Sequence, residues 1–340
     1  MRKALAEDLQ KALQCDPALV GDNNMKAVLL IDHGGPEMLS YGDAPDPIAG
    51  PGEIVVDIHA ASVNAADYKV RLGKGRYSDV RFPHILGRDF SGVVGALGSG
   101  VTDFAIGDSV FGVTEPGKEG AYAEKIAIKA AIVARKPTRL AHVEAAAMAL
   151  TGLTALWALE DTARLRAAET ILIHGGAGGV AGFAIQLAKH LGASVITTAS
   201  TRNHDYVRRL GADRVIDYHS EDFSASVHDC DVVFDTVGGD VQIRSYSVLK
   251  PGGRLVWIAP APEGFRATRR DVEVLRPAVA RDRAHLERML TLLDEGAVRP
   301  PAITRYKLAD AADAHRVSEG RHLRGKLVFE VPRPMAPVVG

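Results

Sequence analysis

The stretch from His174 to Gly182, His-Gly-Gly-Ala-Gly-Gly-Val-Ala-Gly, carries the strongest chemical signal in the chain. Within it, Gly176-x-Gly178-x-x-Ala181 has the spacing of a dinucleotide fingerprint in its G-x-G-x-x-A form. Glycines there let the backbone approach a pyrophosphate, and a helix starting at that point offers unpaired N–H groups and a partial positive charge. About 20 residues further on, an NAD enzyme places Asp or Glu to hold the ribose 2′-hydroxyl. This chain instead has Ala199-Ser200-Thr201-Arg202-Asn203, and Asp205 already falls in the next helix. Two hydroxyls and a guanidinium suit a 2′-phosphate, so NADP(H) is expected rather than NAD(H). The alternative for Arg202 is a solvated loop cation.

Other chemistries are poorly supplied. The chain has 12 His, none within a His-x-x-x-His or H-E-x-x-H pattern, and only two Cys, Cys15 and Cys230. Neither a disulfide framework nor a Cys-rich zinc lobe can be built, and no metal is expected. His174, at a strand end, reads as a hydrogen-bonded core residue rather than a ligand. Tyr246-x-x-x-Lys250 matches the acid pair of short-chain dehydrogenases. In that class the glycine loop opens the chain, whereas here it begins at His174, so the match is read as coincidence. Leu249 to Val256 is similar to the turn before a late strand in Rossmann-like methyltransferases, but no acid follows the second strand. There is no G-x-S-x-G elbow and no P-loop.

These residues need elements to hold them. Ile171-Leu172-Ile173-His174 reads as a buried strand, Phe183–Leu191 as a helix closed by Gly192, and Ser194–Thr198 as the next strand. Val215-Ile216, Val232–Phe234 and Leu255–Ile258 continue an alternation that predicts a parallel sheet wound on both faces. Upstream, Glu144–Leu159 reads as a buried helix broken by Gly152. Residues 25 to about 145 are instead short strands cut by Gly and Pro, a β-rich, barrel-like domain. A helix over His285–Glu295 and a strand over Gly325–Glu330 close the fold. Residues 1–24 read as an appendage, a short amphipathic helix over Met1–Gln14 with Leu5, Leu9 and Leu13 four apart and then the polar break Gly21–Asn24; the alternative is a mobile tail or a start-site artefact.

At 340 residues the chain has room for about two domains. Forty-one Lys plus Arg against 42 Asp plus Glu give a net charge of −1, so no basic excess calls for nucleic acid. No run of 18 apolar residues predicts a membrane span, and the N-terminus lacks the apolar core of an export signal. The scarcity of cysteine is read as a reducing, cytoplasmic setting.

Together the β-rich first half, the His174–Gly182 loop and the returning Gly325-Lys326-Leu327-Val328 strand resemble the medium-chain dehydrogenase/reductase superfamily. More narrowly, the chain is similar to its zinc-independent quinone oxidoreductase branch, which includes zeta-crystallin and plant enone reductases. Ala61–Lys69, Leu86–Gly92, Gly120–Glu124 and Phe234–Gly239 carry this resemblance, which runs from about Met25 to Glu330. Zinc-dependent relatives hold Cys where this chain has Asn64, and Gly-His-Glu where it has Gly87-Arg88-Asp89. The branch often reads Asn-Pro where Asn64-Ala65 stands, and its third loop glycine is Ala181 here.

The resemblance implies an α/β fold of two parts. A GroES-like catalytic domain would comprise residues 25–149 and 286–335, and a Rossmann NADP-binding domain residues 150–285. The nicotinamide would lie in the cleft between them. Carried over by position, Thr151, Gly176, Ala177, Gly178, Gly179, Val180, Ser200, Arg202, Tyr218, Val237 and Ala259 would bind the cofactor. The implied reaction is hydride transfer from NADPH to a quinone or to the activated C=C of an α,β-unsaturated carbonyl. Lys69, Tyr68 and Asn64 are the candidate donors to the oxygen that gains charge. Lys69 would bind that oxygen while Tyr68 or solvent supplies the proton; alternatively Lys69 pairs with a cofactor phosphate or with Asp67. A zinc-free enoyl-thioester reductase and a non-catalytic NADPH-binding sensor are the rival functions. Family analogy also implies a homodimer, formed by pairing Arg254–Ala259 across a two-fold axis.

Overall fold

The computed structural model describes residues 24–73, 79–267 and 269–331, which form two compact units. The expected N-terminal helix lies outside the described residues.

The first unit is built from strands β1 (Asn24–Leu30), β2 (Leu39–Pro45), β3 (Glu53–Ser62), β4 (His84–Ile85), β5 (Asp89–Leu97), β6 (Ser109–Val113), β7 (Lys125–Lys129) and β8 (Val133–Arg135). Strand β3 is the hub: its apolar run Ile54-Val55-Val56 is buried on both faces, and it pairs antiparallel with β5 and β7. Register is what matters for chemistry, because it sets Ser62 opposite Asp89 and Ala61 opposite Phe90. Short helix Ala65–Arg71 follows β3 directly and carries Tyr68 and Lys69. Tyr122 and Phe329 meet edge-on at 4.8 Å in the core below, both fully buried.

Helix His142–Leu156 takes the chain into the second unit. It runs through Gly152 unbroken and continues as a wider π-type turn over Trp157–Thr162, against the expected break. A side chain at Gly152 would overlap the sulfur of Met289, so that glycine serves packing rather than termination. By length and composition His142–Thr162 could cross a membrane, but it is mostly buried inside the protein. The second unit then lays down β9 (Thr170–Ile173), β10 (Ser194–Thr198), β11 (Arg214–Ile216), β12 (Cys230–Asp235), β13 (Leu249–Trp257) and β14 (Glu273–Leu275). All are parallel, in the order β11-β10-β9-β12-β13-β14, so the winding direction reverses between β9 and β12. Strand β14 is three half-exposed residues without an apolar pattern, and the sequence offered no sign of it. It covers Arg254–Val256, so half of the stretch expected to pair across a two-fold axis is occupied within the chain.

The return to the first unit comes at Ala302, later than the expected residue 286. Helix Arg283–Asp294 stays with the second unit from Ala284 onward because its buried side, Leu286, Met289 and Leu292, is needed there. His285 stacks on Trp157 at 4.6 Å and Arg288 pairs with Glu160 at 3.0 Å. Strands β15 (Ile303–Lys307) and β16 (Lys326–Glu330) then complete the first unit, with β16 inserted between β15 and β3.

Candidate active site

In the second unit, β9 ends at Ile173 and helix Gly179–His190 begins six residues later. Gly178 is the N-cap, in extended conformation, and no side chain caps the helix. The first-turn N–H groups of a twelve-residue helix are therefore without a side-chain cap, the arrangement that suits an anion. The glycines of the loop have different jobs. A Cβ on Gly176 would overlap Thr197 Oγ1, which is itself pinned to the Ile173 carbonyl at 2.7 Å. A Cβ on Gly178 would meet only the Gly175 carbonyl, at 3.3 Å. Packing thus forbids a side chain at Gly176, whereas at Gly178 the protein itself leaves room for one, as expected of a glycine kept for close approach of a ligand. Gly176→Ala should therefore cost stability, about 1–3 kcal/mol in urea unfolding. Gly178→Ala should melt close to wild type yet bind dinucleotide at least about tenfold more weakly. Wild-type affinity in Gly178→Ala would refute this assignment.

The other cofactor candidates cluster at the carboxyl ends of parallel strands, the side on which such sheets bind ligands. Ser200 and Arg202 follow β10, Tyr218 follows β11, Val237 follows β12 and Ala259 follows β13. Arg202, Tyr218 and Val237 are exposed. The Val237 turn is shaped by the buried Asp235 carboxylate, which accepts the Val237 and Gly238 N–H groups at 2.9 and 3.0 Å. Gly239 N–H donates to Pro260, tying this turn to the one that carries Ala259. Thr151 is buried within helix His142–Leu156. Beside Ser200, the Asp217 carboxylate accepts the Thr201 hydroxyl and the His219 N–H, which together hold it below the usual carboxylate range. This acid comes from the following strand, where reading for a carboxylate after β10 could not find it.

Tyr246 and Lys250 do not form a pair. Tyr246 is buried near Phe265, and Lys250 forms an ion pair with Asp231. His174 is buried and hydrogen-bonded at both ring nitrogens, as expected of a core residue.

In the first unit, Asn64 caps the helix bearing Tyr68 and Lys69, and its backbone N–H donates to Asp67 at 2.8 Å. Its side chain is fully committed. Nδ2 donates to Asp89 at 2.9 Å and to the Ser62 carbonyl at 3.3 Å, while Oδ1 accepts from Lys326 at 2.6 Å. Asn64 therefore has no amide donor left for a substrate oxygen, contrary to its place among the expected donors, and acts as a brace. Asp67 is also taken. It accepts from Tyr122 at 2.7 Å and Arg88 at 3.1 Å, so the expected alternative of a Lys69–Asp67 pair gives way to these partners. Tyr68 is buried and Lys69 half-buried.

Around this helix lies a buried ionic network that motif reading missed. Arg88 bridges Asp67 and Glu119, the latter at 2.7 Å, and all three are nearly inaccessible. Burial pushes Asp67 up to about 6 against the pull of Arg88 and its hydrogen bonds. Burial also acts on Glu119, but His84 and Arg88 outweigh it and hold the carboxyl below its usual range. Burial lowers the Lys326 ammonium despite Asp89 and Asp67, and burial with Arg88 lowers Arg281 to about 10. Lys326 also donates to the Val63 carbonyl at 2.7 Å.

Two family models match this chain, the alcohol dehydrogenase GroES-like domain over residues 50–138 and the zinc-binding dehydrogenase over residues 210–329. An NADPH-dependent alkenal/one oxidoreductase of Arabidopsis thaliana is 34% identical over 91% of this chain and 80% of its own. The structure of the quinone oxidoreductase from Coxiella burnetii superposes with a TM-score of 0.85 at 37% identity, covering 91% of this chain and all of that one. The chain belongs to the medium-chain dehydrogenase/reductase superfamily, in its zinc-independent quinone oxidoreductase branch.

The chain also matches a part of much larger proteins. A mycocerosic acid synthase-like polyketide synthase of Mycobacterium tuberculosis is 33% identical over 83% of this chain, which spans only 14% of that protein. A zinc ion does not fit the positions at which metal-dependent members of the superfamily carry ligands. Asn64 and Asp89 are bonded to each other, Arg88 is a cation, and the Lys326 ammonium contacts Asn64. Among the described residues no three His, Cys, Asp or Glu side chains gather as a metal site.

Proposed function

We propose that the protein is an NADPH-dependent oxidoreductase that reduces quinones or the activated C=C bond of enones and alkenals without zinc. The observation that carries this reading is the uncapped helix N-terminus at Gly178, flanked by the strand ends bearing Ser200, Arg202, Val237 and Ala259. These residues fit a dinucleotide phosphate. When bound, the cofactor supplies the hydride; the chain's residues hold it and manage charge and proton. Reduction of an enone consumes one hydride and one proton, leaving a saturated carbonyl. Lys69 takes the charge that develops on the acceptor oxygen, and Tyr68 or solvent delivers the proton.

The decisive test is oxidation of NADPH and of NADH at 340 nm against a benzoquinone, a naphthoquinone, a short alkenal, an enone and an enoyl thioester, with and without chelator. Chelator-insensitive turnover with NADPH supports the proposal. Turnover confined to the thioester selects the second reading, an enoyl-thioester reductase, which the polyketide synthase relatives favour. Cofactor binding without turnover on any acceptor selects a sensor. Arg202→Ala should raise the NADPH KM about tenfold or more while leaving that of NADH within twofold, because only the former has a 2′-phosphate to lose. An equal effect on both would place Arg202 against a part that the two cofactors share, and no effect on either would place it in solvent. For assembly we infer a homodimer with β14, one of the two outer strands of the parallel sheet, in the interface, to be checked by light scattering, and for setting the cytoplasm.

A further inference from the structure

We infer that His174 is the positioning residue of the dinucleotide site, locking the glycine loop to both flanking segments through a one-directional chain of hydrogen bonds. The inference rests on the reading that this loop binds NADPH. The direction follows from counting protons. Ser245 Oγ donates to the Val241 carbonyl at 2.6 Å, and a hydroxyl has a single hydrogen. Toward His174 Nε2, 3.0 Å away, it can therefore only accept, which puts the imidazole proton on Nε2. The opposite nitrogen, Nδ1, must then accept from the Thr198 hydroxyl at 3.2 Å. Thr198 Oγ1 in turn accepts the Gly175 N–H at 3.1 Å.

The chain thus runs from Gly175 N–H through Thr198 and His174 to Ser245 and the Val241 carbonyl, with every donor pointing the same way. His174, Thr198 and Ser245 are all buried, so the two bonds to the imidazole are shielded from competing water. The His174 carbonyl adds a further tie, accepting the Thr236 hydroxyl at 2.7 Å. Each end leads to a cofactor candidate. Gly175 opens the glycine loop, Thr198 precedes Ser200 and Arg202, and the Thr236–Ser245 segment holds Val237. Only a neutral Nε2–H imidazole satisfies both neighbours. A leucine of similar bulk would fill the space but remove the link between Thr198 and Ser245, leaving only the Gly175 N–H bond to Thr198 and the Thr236 bond to the residue-174 carbonyl as side-chain ties.

Two measurements test this. In long-range ¹H–¹⁵N spectra of the histidine-labelled wild type, His174 should show the neutral Nε2–H tautomer at pH 7; the Nδ1–H tautomer or a charged ring overturns the chain. NADPH titration of His174→Leu, Thr198→Val and Ser245→Ala should show Kd raised about tenfold, with kcat at saturating cofactor within about twofold of wild type. Unchanged Kd in Thr198→Val and Ser245→Ala refutes the positioning role even if His174→Leu does not fold. A wild type that binds no NADPH sinks the functional reading itself, and this proposal with it; loss confined to variants cannot be mistaken for that outcome.

Discussion

Arg88→Met should cost the fold about 3–5 kcal/mol at pH 7, measured by urea unfolding. The guanidinium is the shared partner of Asp67 and Glu119, both almost wholly excluded from water. A buried ion pair adds little net stability, but removing one partner strands the other charge in a medium that cannot solvate it. Here one substitution strands two. Methionine matches the length of the stem, so packing loss is small beside the electrostatic one. The deficit relative to wild type should shrink as pH falls toward 5, because Asp67 already sits near 6 and protonates easily. The double variant Arg88→Met/Asp67→Asn should recover part of the loss. A deficit below about 1 kcal/mol, or one independent of pH, would show that the network is hydrated and sink the argument.

The second large effect is acid sensitivity. His174 and His315 are both lowered to about 3, by burial first and then by the nearby cations Arg244 and Arg71. Free histidine titrates near 6.5, so between pH 6.5 and 3 the unfolded chain binds protons that the folded one refuses. Their contribution is complete above pH 6.5 and drains away as pH falls. At pH 5 each histidine costs about 2 kcal/mol, roughly 4 kcal/mol together. Asp67 acts in the opposite sense. Its raised folded value means that stability returns as pH falls through 6, by about 1 kcal/mol at pH 5. The net loss between pH 7.5 and pH 5 is thus about 3 kcal/mol. His315→Gln should flatten that slope. Equal unfolding free energies at the two pH values would mean that these rings are reached by water in the folded state.

What could be read from the sequence was local. The Ile171–Ile173 strand, the Gly176-x-Gly178 loop and its amphipathic helix lie within a single stretch of chain, and periodicity and turn chemistry locate all three. What could not be read depends on register and on distance. Asn64 becomes a brace only because Ser62 pairs with Asp89 across two strands and Lys326, 262 residues away, reaches its amide oxygen. No spacing rule connects those positions. Asp217 escaped notice because it reaches Thr201 from beyond the following strand. Gly152 resembled a helix breaker because its packing partner, Met289, is remote in sequence. Strand β14 has no apolar alternation to betray it, being held by backbone pairing to β13.

The insertion of β16 between β15 and β3 bears on the order in which the molecule is made. A ribosome releases Asn24–Arg135 first, yet the first unit's main sheet cannot close until residue 330 has emerged. The second unit, nearly contiguous in the chain, is complete some 30 residues earlier and can fold as soon as it appears. The early half must therefore wait with β3 lacking one neighbour, an open hydrogen-bonding edge that invites pairing with other nascent chains. Lys326 arrives on the strand that ends this exposure. The residue that braces Asn64 thus emerges after both the first-unit strands it joins and the whole second unit, and a chain cut before it leaves Asp89 and Asn64 without their cation.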